Sequence, residues 1–213
     1  MSTVDQLIFD DARSLHDLGR YASRAKALDA EAAVRLQAGG PVLAAWVGVL
    51  PGSGILGEGL VLGLRTFALA TPADLDVAVP AAAITDRAAR GGSTLAIPPV
   101  QLTPTWSSIT PPRSGWEYAG LADGDDLADV ARTGLEEVSA AVRERGVAAG
   151  LTKQQVWARV VTYTRGEDSL DLAAGVALAA YALGFLSPGR PVEVFRTNRW
   201  TRVSGPGGHV LAR

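Results

Sequence analysis

The chain has 213 residues, 47% hydrophobic and 20% charged, with a formal net charge of −2, the balance of a folded globular domain rather than of a disordered segment. An acidic balance supplies no global basic field for nonspecific attraction to nucleic acid. The absence of cysteine excludes disulfides, thiolate nucleophiles and Cys-based zinc or iron–sulfur sites, and fits a reducing compartment.

The opening Met-Ser-Thr-Val-Asp-Gln-Leu lacks the basic segment and apolar run of a signal peptide, which predicts a cytoplasmic chain. From Asp10 to Leu28 the apolar residues Leu15, Leu18, Ala22, Ala25 and Leu28 recur every three or four positions, predicting a helix with one apolar face. In Ala32 to Gln37, Val34 and Leu36 alternate with Arg35 and Gln37 before a glycine turn. That pattern favours a strand and hairpin, against an extension of the helix. Strands are predicted over Pro41–Leu50, Leu60–Ala70 and Leu75–Val79, then a short helix from Pro80 to about Arg90, ended by Gly91-Gly92, and another strand over Ser93–Ile97.

Residues 98–116 hold five prolines, which forbid regular structure for most of their length. Beyond them, Leu127, Val130, Ala131, Leu135, Val138 and Val142 form one face of a predicted helix that starts among Asp123, Asp125 and Asp126 and ends at Gly146. Thr152-Lys-Gln-Gln155 has the spacing of a capping box and predicts a second helix with Val156, Val160 and Tyr163 on one face. A third is predicted from Ser169 to Leu186. Two or three strands close the chain from Pro191 to Arg213, with Gly205–Gly208 as a turn. The uncharged run Leu172–Leu186 is too short for a bilayer span, and Gly39–Leu64 is broken by Pro51, Glu58 and glycines, so no membrane segment is predicted.

Pro51 to Gly59 contains a Gly-x-Gly-x-x-Gly. A dinucleotide site needs a helix after the glycines and a second strand ending in an acid about 20 residues on, and the stretch from Leu60 to Asp74 is too short for both. As a phosphate loop the motif puts Glu58 where lysine must stand, and a carboxylate there repels phosphate. A glycine-rich connection between antiparallel strands is the better reading. No Gly-x-Ser-x-Gly elbow accompanies His16 or His209, and the acids at 123–126 lack the ligand order of a calcium loop. No catalytic residue, metal site or cofactor is therefore predicted.

The pattern predicts an α+β fold: a mostly antiparallel sheet packed with an N-terminal helix and three C-terminal helices. It is read as a single domain, sheet-rich over 32–97, with a Pro-rich crossover over 98–118, a helical part over 121–187 and terminal strands over 191–213. In the crossover, Trp106 and Trp116 bracket Ser107, Ser108, Thr110 and Arg113, with Glu117 following. A free tether gains nothing from two tryptophans, so the segment is expected to be ordered. It is either a structural crossover with its tryptophans in the core or a surface that presents Trp and Arg as anchors. The leading functional reading is a non-catalytic binding or assembly module that uses Trp106, Ser107, Ser108, Arg113, Trp116 and Glu117. Its partner would be a protein, a small-molecule ligand or further copies of the chain. The alternative is an enzyme at the same loop, with Arg113 fixing an anionic substrate and Glu117 or a nearby Asp as general base. A third reading is nucleic-acid binding through Arg190, Arg196, Arg199, Arg202 and Arg213 around Trp200.

Overall fold

The computed structural model describes residues 4–53, 57–145, 150–165 and 168–213. Their contacts divide into two compact units, Met1–Pro51 with Leu62–Thr110, and Gly52–Val61 with Pro111–Arg213.

The first unit carries β1 (Gln6–Ile8), α1 (Ala12–Leu28), α2 (Ala81–Ala88), β4 (Thr94–Ala96), and most of the long strands β2 (Ala33–Ser53) and β3 (Glu58–Pro80). Helix α1 begins where the Asp11 carboxylate accepts the Ser14 N–H at 2.7 Å, satisfying a donor that the first turn leaves unpaired. It buries Leu15, Leu18, Tyr21, Ala22 and Ala25, the face set by the sequence spacing. The hairpin turn expected after Gln37 is corrected: β2 runs on through Gly39 and Gly40, and the four runs predicted between Ala32 and Val79 join into two strands. Proline interrupts neither; Pro41 lies in β2, which stands at the end of its sheet, where a missing N–H is tolerated. Alternation in β2 buries Val34 and Leu36 and turns Arg35 and Gln37 to the other face. There Arg35 donates from Nε and Nη2 to the two Asp76 oxygens at 2.6 Å each, and Gln37 Nε2 donates to the same carboxylate at 3.0 Å. β1 and β4 pair antiparallel, and Phe9 meets Phe67 edge-on at 6.0 Å.

The second unit holds β5 (Glu117–Asp123), α3 (Gly124–Arg145), α4 (Gly150–Ala158), β6 (Val160–Arg165), β7 (Asp168–Ala173), α5 (Ala174–Ala182), β8 (Pro191–Thr197), β9 (Trp200–Gly205) and β10 (Gly208–Ala212). Strands β5, β8, β9 and β10 pair antiparallel in the order β10-β9-β8-β5. Ala122, Val192, Val194, Val203, Val210 and Ala212 are buried on one side of this sheet. Helix α5 is buried from Ala174 through Ala180 and packs against α3 and β10, as a helix apolar all round must. Of the acids at the start of α3, one caps the helix and one ties it to the turn before β8. Asp123 accepts the Asp125 N–H at 2.8 Å and Asp125 accepts the Gly189 N–H at 3.0 Å.

The tip of the β2–β3 hairpin belongs to this unit. Gly59 donates to the Arg213 carbonyl at 2.9 Å and Arg213 donates to the Leu60 carbonyl at 3.0 Å. Two residues thus oppose one, a bulge that Gly59 accommodates at φ 75°. This pairing completes the six-stranded order β2-β3-β10-β9-β8-β5. The glycine motif joins β2, ending at Ser53, to β3, starting at Glu58, and Gly59 enters a strand rather than a helix; Gly54, Ile55 and Leu56 lie outside the described residues.

Two helix expectations are corrected. Helix α4 stops at Ala158, and Val160 and Tyr163 belong to strand β6 rather than to the same helical face. The run Val-Val-Thr-Tyr-Thr over 160–164 is β-branched and aromatic, which disfavours helix and suits a pleated strand. The helix predicted from Ser169 starts only at Ala174. Before it, Leu170 and Leu172 are buried while Ser169 and Asp171 are exposed, a period of two that pairs β7 with β6.

Candidate binding surface

The proline-rich segment divides between the units at Thr110 and Pro111, and its two tryptophans have different surroundings. In the first unit, Thr105–Ser108 form a short 3-10 turn. Ser107 Oγ donates to the Pro104 carbonyl at 2.7 Å and Ser108 Oγ to the Thr105 carbonyl at 2.8 Å. Arg35 Nη1 donates to the Ser107 carbonyl at 2.8 Å while holding Asp76. This guanidinium keeps the Asp76 carboxyl below the usual carboxylate range. Trp106 is buried against Gly48, where an added Cβ would stand 2.5 Å from the indole. The hydroxyls of Ser107 and Ser108 thus donate to local backbone, and Trp106 is a core side chain.

In the second unit the remainder of the segment makes a surface. The Trp116 indole N–H donates to the Pro112 carbonyl at 3.0 Å, closing a turn from which Arg113 projects into solvent. Glu117 is exposed on β5, in register with Arg196. The next residue, Tyr118, pairs with Phe195 on β8, which pairs with Arg202 on β9. These three side chains form a row across the sheet. Tyr118 is 58% exposed and meets Phe195 edge-on, with centroids 5.8 Å apart. The Arg202 guanidinium lies over both Phe195, at 4.3 Å from the centroid, and Trp116, at 4.9 Å. Its Nε is buried without a hydrogen-bond acceptor. Partial burial pulls the Arg202 pKa down, with Glu193 acting the other way. On the neighbouring row, His209 Nδ1 lies 2.9 Å from Ser204 Oγ. Burial, and then the charge of Arg202, lowers the His209 pKa.

Of the residues the sequence singles out, Trp106, Ser107 and Ser108 therefore lie in one unit and Arg113, Trp116 and Glu117 in the other. The sequence reading missed Tyr118 and Phe195 and placed Arg202 only with the other arginines of the tail. Phe195 was legible: with Val192 and Val194 facing inward, residues 193 and 195 must face outward. Elsewhere in the second unit, α3, α4 and β6 line a pocket of about 220 Å³ that includes Val130, Gly134, Val156, Val161 and Arg159. Its arginine is already engaged, donating to both Glu137 oxygens at 2.9 and 3.1 Å. Among the described residues no group of three or more His, Asp or Glu is placed to hold a metal ion, and no helix is long and apolar enough to cross a membrane.

Residues 2–108 match the family described as Domain of unknown function (DUF8010), and residues 111–213 match Domain of unknown function (DUF8185). The boundary between the two matches falls where the compact units divide the proline-rich segment. No curated protein matches the chain in sequence. Among solved structures, the DNA polymerase III subunit beta of Pseudomonas aeruginosa is similar at 12% identity with a TM-score of 0.53, over 98% of this chain and 64% of that one. The DNA polymerase sliding clamp of Caulobacter crescentus is similar at 10% identity and TM-score 0.52, over 99% and 65%. The DNA polymerase III beta subunit of Thermotoga maritima is similar at 14% and 0.51, over 98% and 64%. The chain thus shares a fold with sliding clamps and spans about two thirds of their length.

Proposed function

We propose that this chain, which belongs to the family described as Domain of unknown function (DUF8010), is a non-catalytic, clamp-like assembly module that works by binding protein, either further copies of itself or other chains. The observation that carries the reading is the likeness to sliding clamps over 98% of the chain, which takes in both units rather than one. The second unit's surface of Trp116, Tyr118, Phe195 and Arg202 supports it, since aromatic and arginine side chains are the favoured anchors of protein interfaces. Of the loop named by the sequence, Arg113, Trp116 and Glu117 are the candidates for contact that lie in the second unit, whereas Trp106 is buried in the first. An enzymatic site at the same loop finds less support. Glu117 sits exposed at a strand end rather than in a pocket of the kind that tunes a general base.

Native mass spectrometry of the gently purified protein tests this, because it reports subunit count and bound mass together. A homo-oligomer, or a complex with a second protein, is the expected result. A monomer that retains a small molecule overturns the reading in favour of the enzyme.

A second reading, contact with nucleic acid, is favoured by the exposed Arg190, Arg196 and Arg199 of the second unit. It predicts affinity that falls steeply with salt and is lost in Arg199→Ala combined with Arg202→Ala. Insensitivity to both removes it.

A further inference from the structure

The cation at the centre of the aromatic row forms no ion pair, and Glu193 acts on it only from a distance. Among the described residues, ion pairs form at Arg35, Arg65, Arg132 and Arg159 but not at Arg202. Its Nε is buried with no acceptor, and the guanidinium rests over the rings of Trp116 and Phe195. Stacking of this kind fixes the plane of a guanidinium, and with Nε buried the paired hydrogen bond to a partner falls to the two terminal nitrogens. Beside it stands Tyr118, more than half exposed, a rigid apolar ring with a polar tip of the kind enriched at interfaces.

We propose that Arg202, held over Trp116 and Phe195, is a receptor for a single carboxylate on a protein partner, with Tyr118 covering the apolar side chain next to that carboxylate. The inference rests on the reading of the chain as a protein-binding module and names the chemistry of what is bound. The surrounding charge favours a peptide acid over nucleic acid. Glu193 is exposed on the same face as Phe195, so every charge that a polyanion brings beyond the one paired with Arg202 adds to the repulsion there, a cost that a lone carboxylate keeps smallest. One face of each ring is also taken by the guanidinium, so Trp116 and Phe195 serve the cation rather than offering free platforms for bases. Binding here supplies a direct ion pair to a cation that is already partly buried and oriented, which lowers the cost of ordering it on association.

The test is selection of a random dodecapeptide phage library on the immobilised full-length chain, run in parallel on Arg202→Lys and Trp116→Ala. The expected outcome is a consensus with Asp or Glu at a fixed position beside an aromatic or aliphatic residue. The peptide made from it should bind Arg202→Lys about ten-fold more weakly, because lysine keeps the charge but loses the paired geometry. Circular dichroism of the variants establishes that both are folded, and Tyr118→Ala, an exposed change, serves should Trp116→Ala unfold. A consensus without an acid that is still lost in Trp116→Ala or Tyr118→Ala overturns the carboxylate and leaves the binding surface standing. Equal binding by Arg202→Lys, or tighter binding of oligothymidylate than of any peptide, also overturns it. No enriched peptide from any of the selections removes both the carboxylate and the surface.

Discussion

Trp106 and Trp116 stand ten residues apart on one proline-rich segment, yet they have opposite fates. Trp106 is buried against Gly48, and the turn that carries it is tied to β2 by Arg35. Trp116 is half-buried, bonded only to its own turn through Pro112, and spends its ring on Arg202. The difference teaches that composition alone does not separate an anchor from a binding residue. What separates them is whether the neighbouring strands offer a hole or a charge. At Gly48 the missing side chain leaves a hole for an indole. At β9, Arg202 leaves a cation that an indole can cover.

The comparison is tested most severely by truncating each ring. Trp106→Ala is expected to cost about 3–5 kcal/mol of stability, as removal of a large buried aromatic does, measured by urea unfolding. Trp116→Ala is expected to cost about 1 kcal/mol, the scale of a partly exposed cation–π contact. Equal losses would erase the distinction drawn between the two halves of the segment. Gly48→Ala sharpens it from the other side. A Cβ there stands 2.5 Å from the Trp106 ring, so overpacking of about 1–3 kcal/mol is expected, and Trp106→Leu in the same background should recover part of it. If Gly48→Ala is silent, Trp106 does not fill the space that the glycine leaves.

Much of the fold was legible because the patterns were local. The spacing of Leu15, Leu18, Ala22 and Ala25 gave α1, the alternation of Val192 and Val194 with Glu193 gave β8, and Gly205–Gly208 gave the final hairpin. The errors arose where two signals competed. Val156, Val160 and Tyr163 fit a helical face, but the β-branched run at 160–164 decided for strand once Leu170 and Leu172 supplied a partner. The uncharged stretch from Leu172 looked helical from its start, yet its first residues were already committed to that pairing. The candidate surface was half legible for a related reason. Arg113, Trp116 and Glu117 lie together in sequence, whereas Phe195 and Arg202 reach Tyr118 only through cross-strand register, which no single-segment pattern contains.

The smallest expected effect concerns what surrounds Arg202 rather than what it binds. His209 is partly buried beside Ser204, and burial together with the nearby Arg202 charge depresses its pKa. The unfolded chain then takes up a proton at a higher pH than the folded one. Stability is unaffected well above the ordinary histidine value near 6.5 and falls as the pH drops below it, because the unfolded state binds more protons there. Thermal melts between pH 7.5 and pH 5.5 should show this decline, and His209→Asn, which cannot titrate, should flatten it. Arg202→Gln removes the like charge and should flatten it in part while leaving the burial contribution. A decline unchanged in both variants would assign the pH dependence elsewhere and would mean that the row of side chains around Arg202 is more open to solvent than its packing indicates.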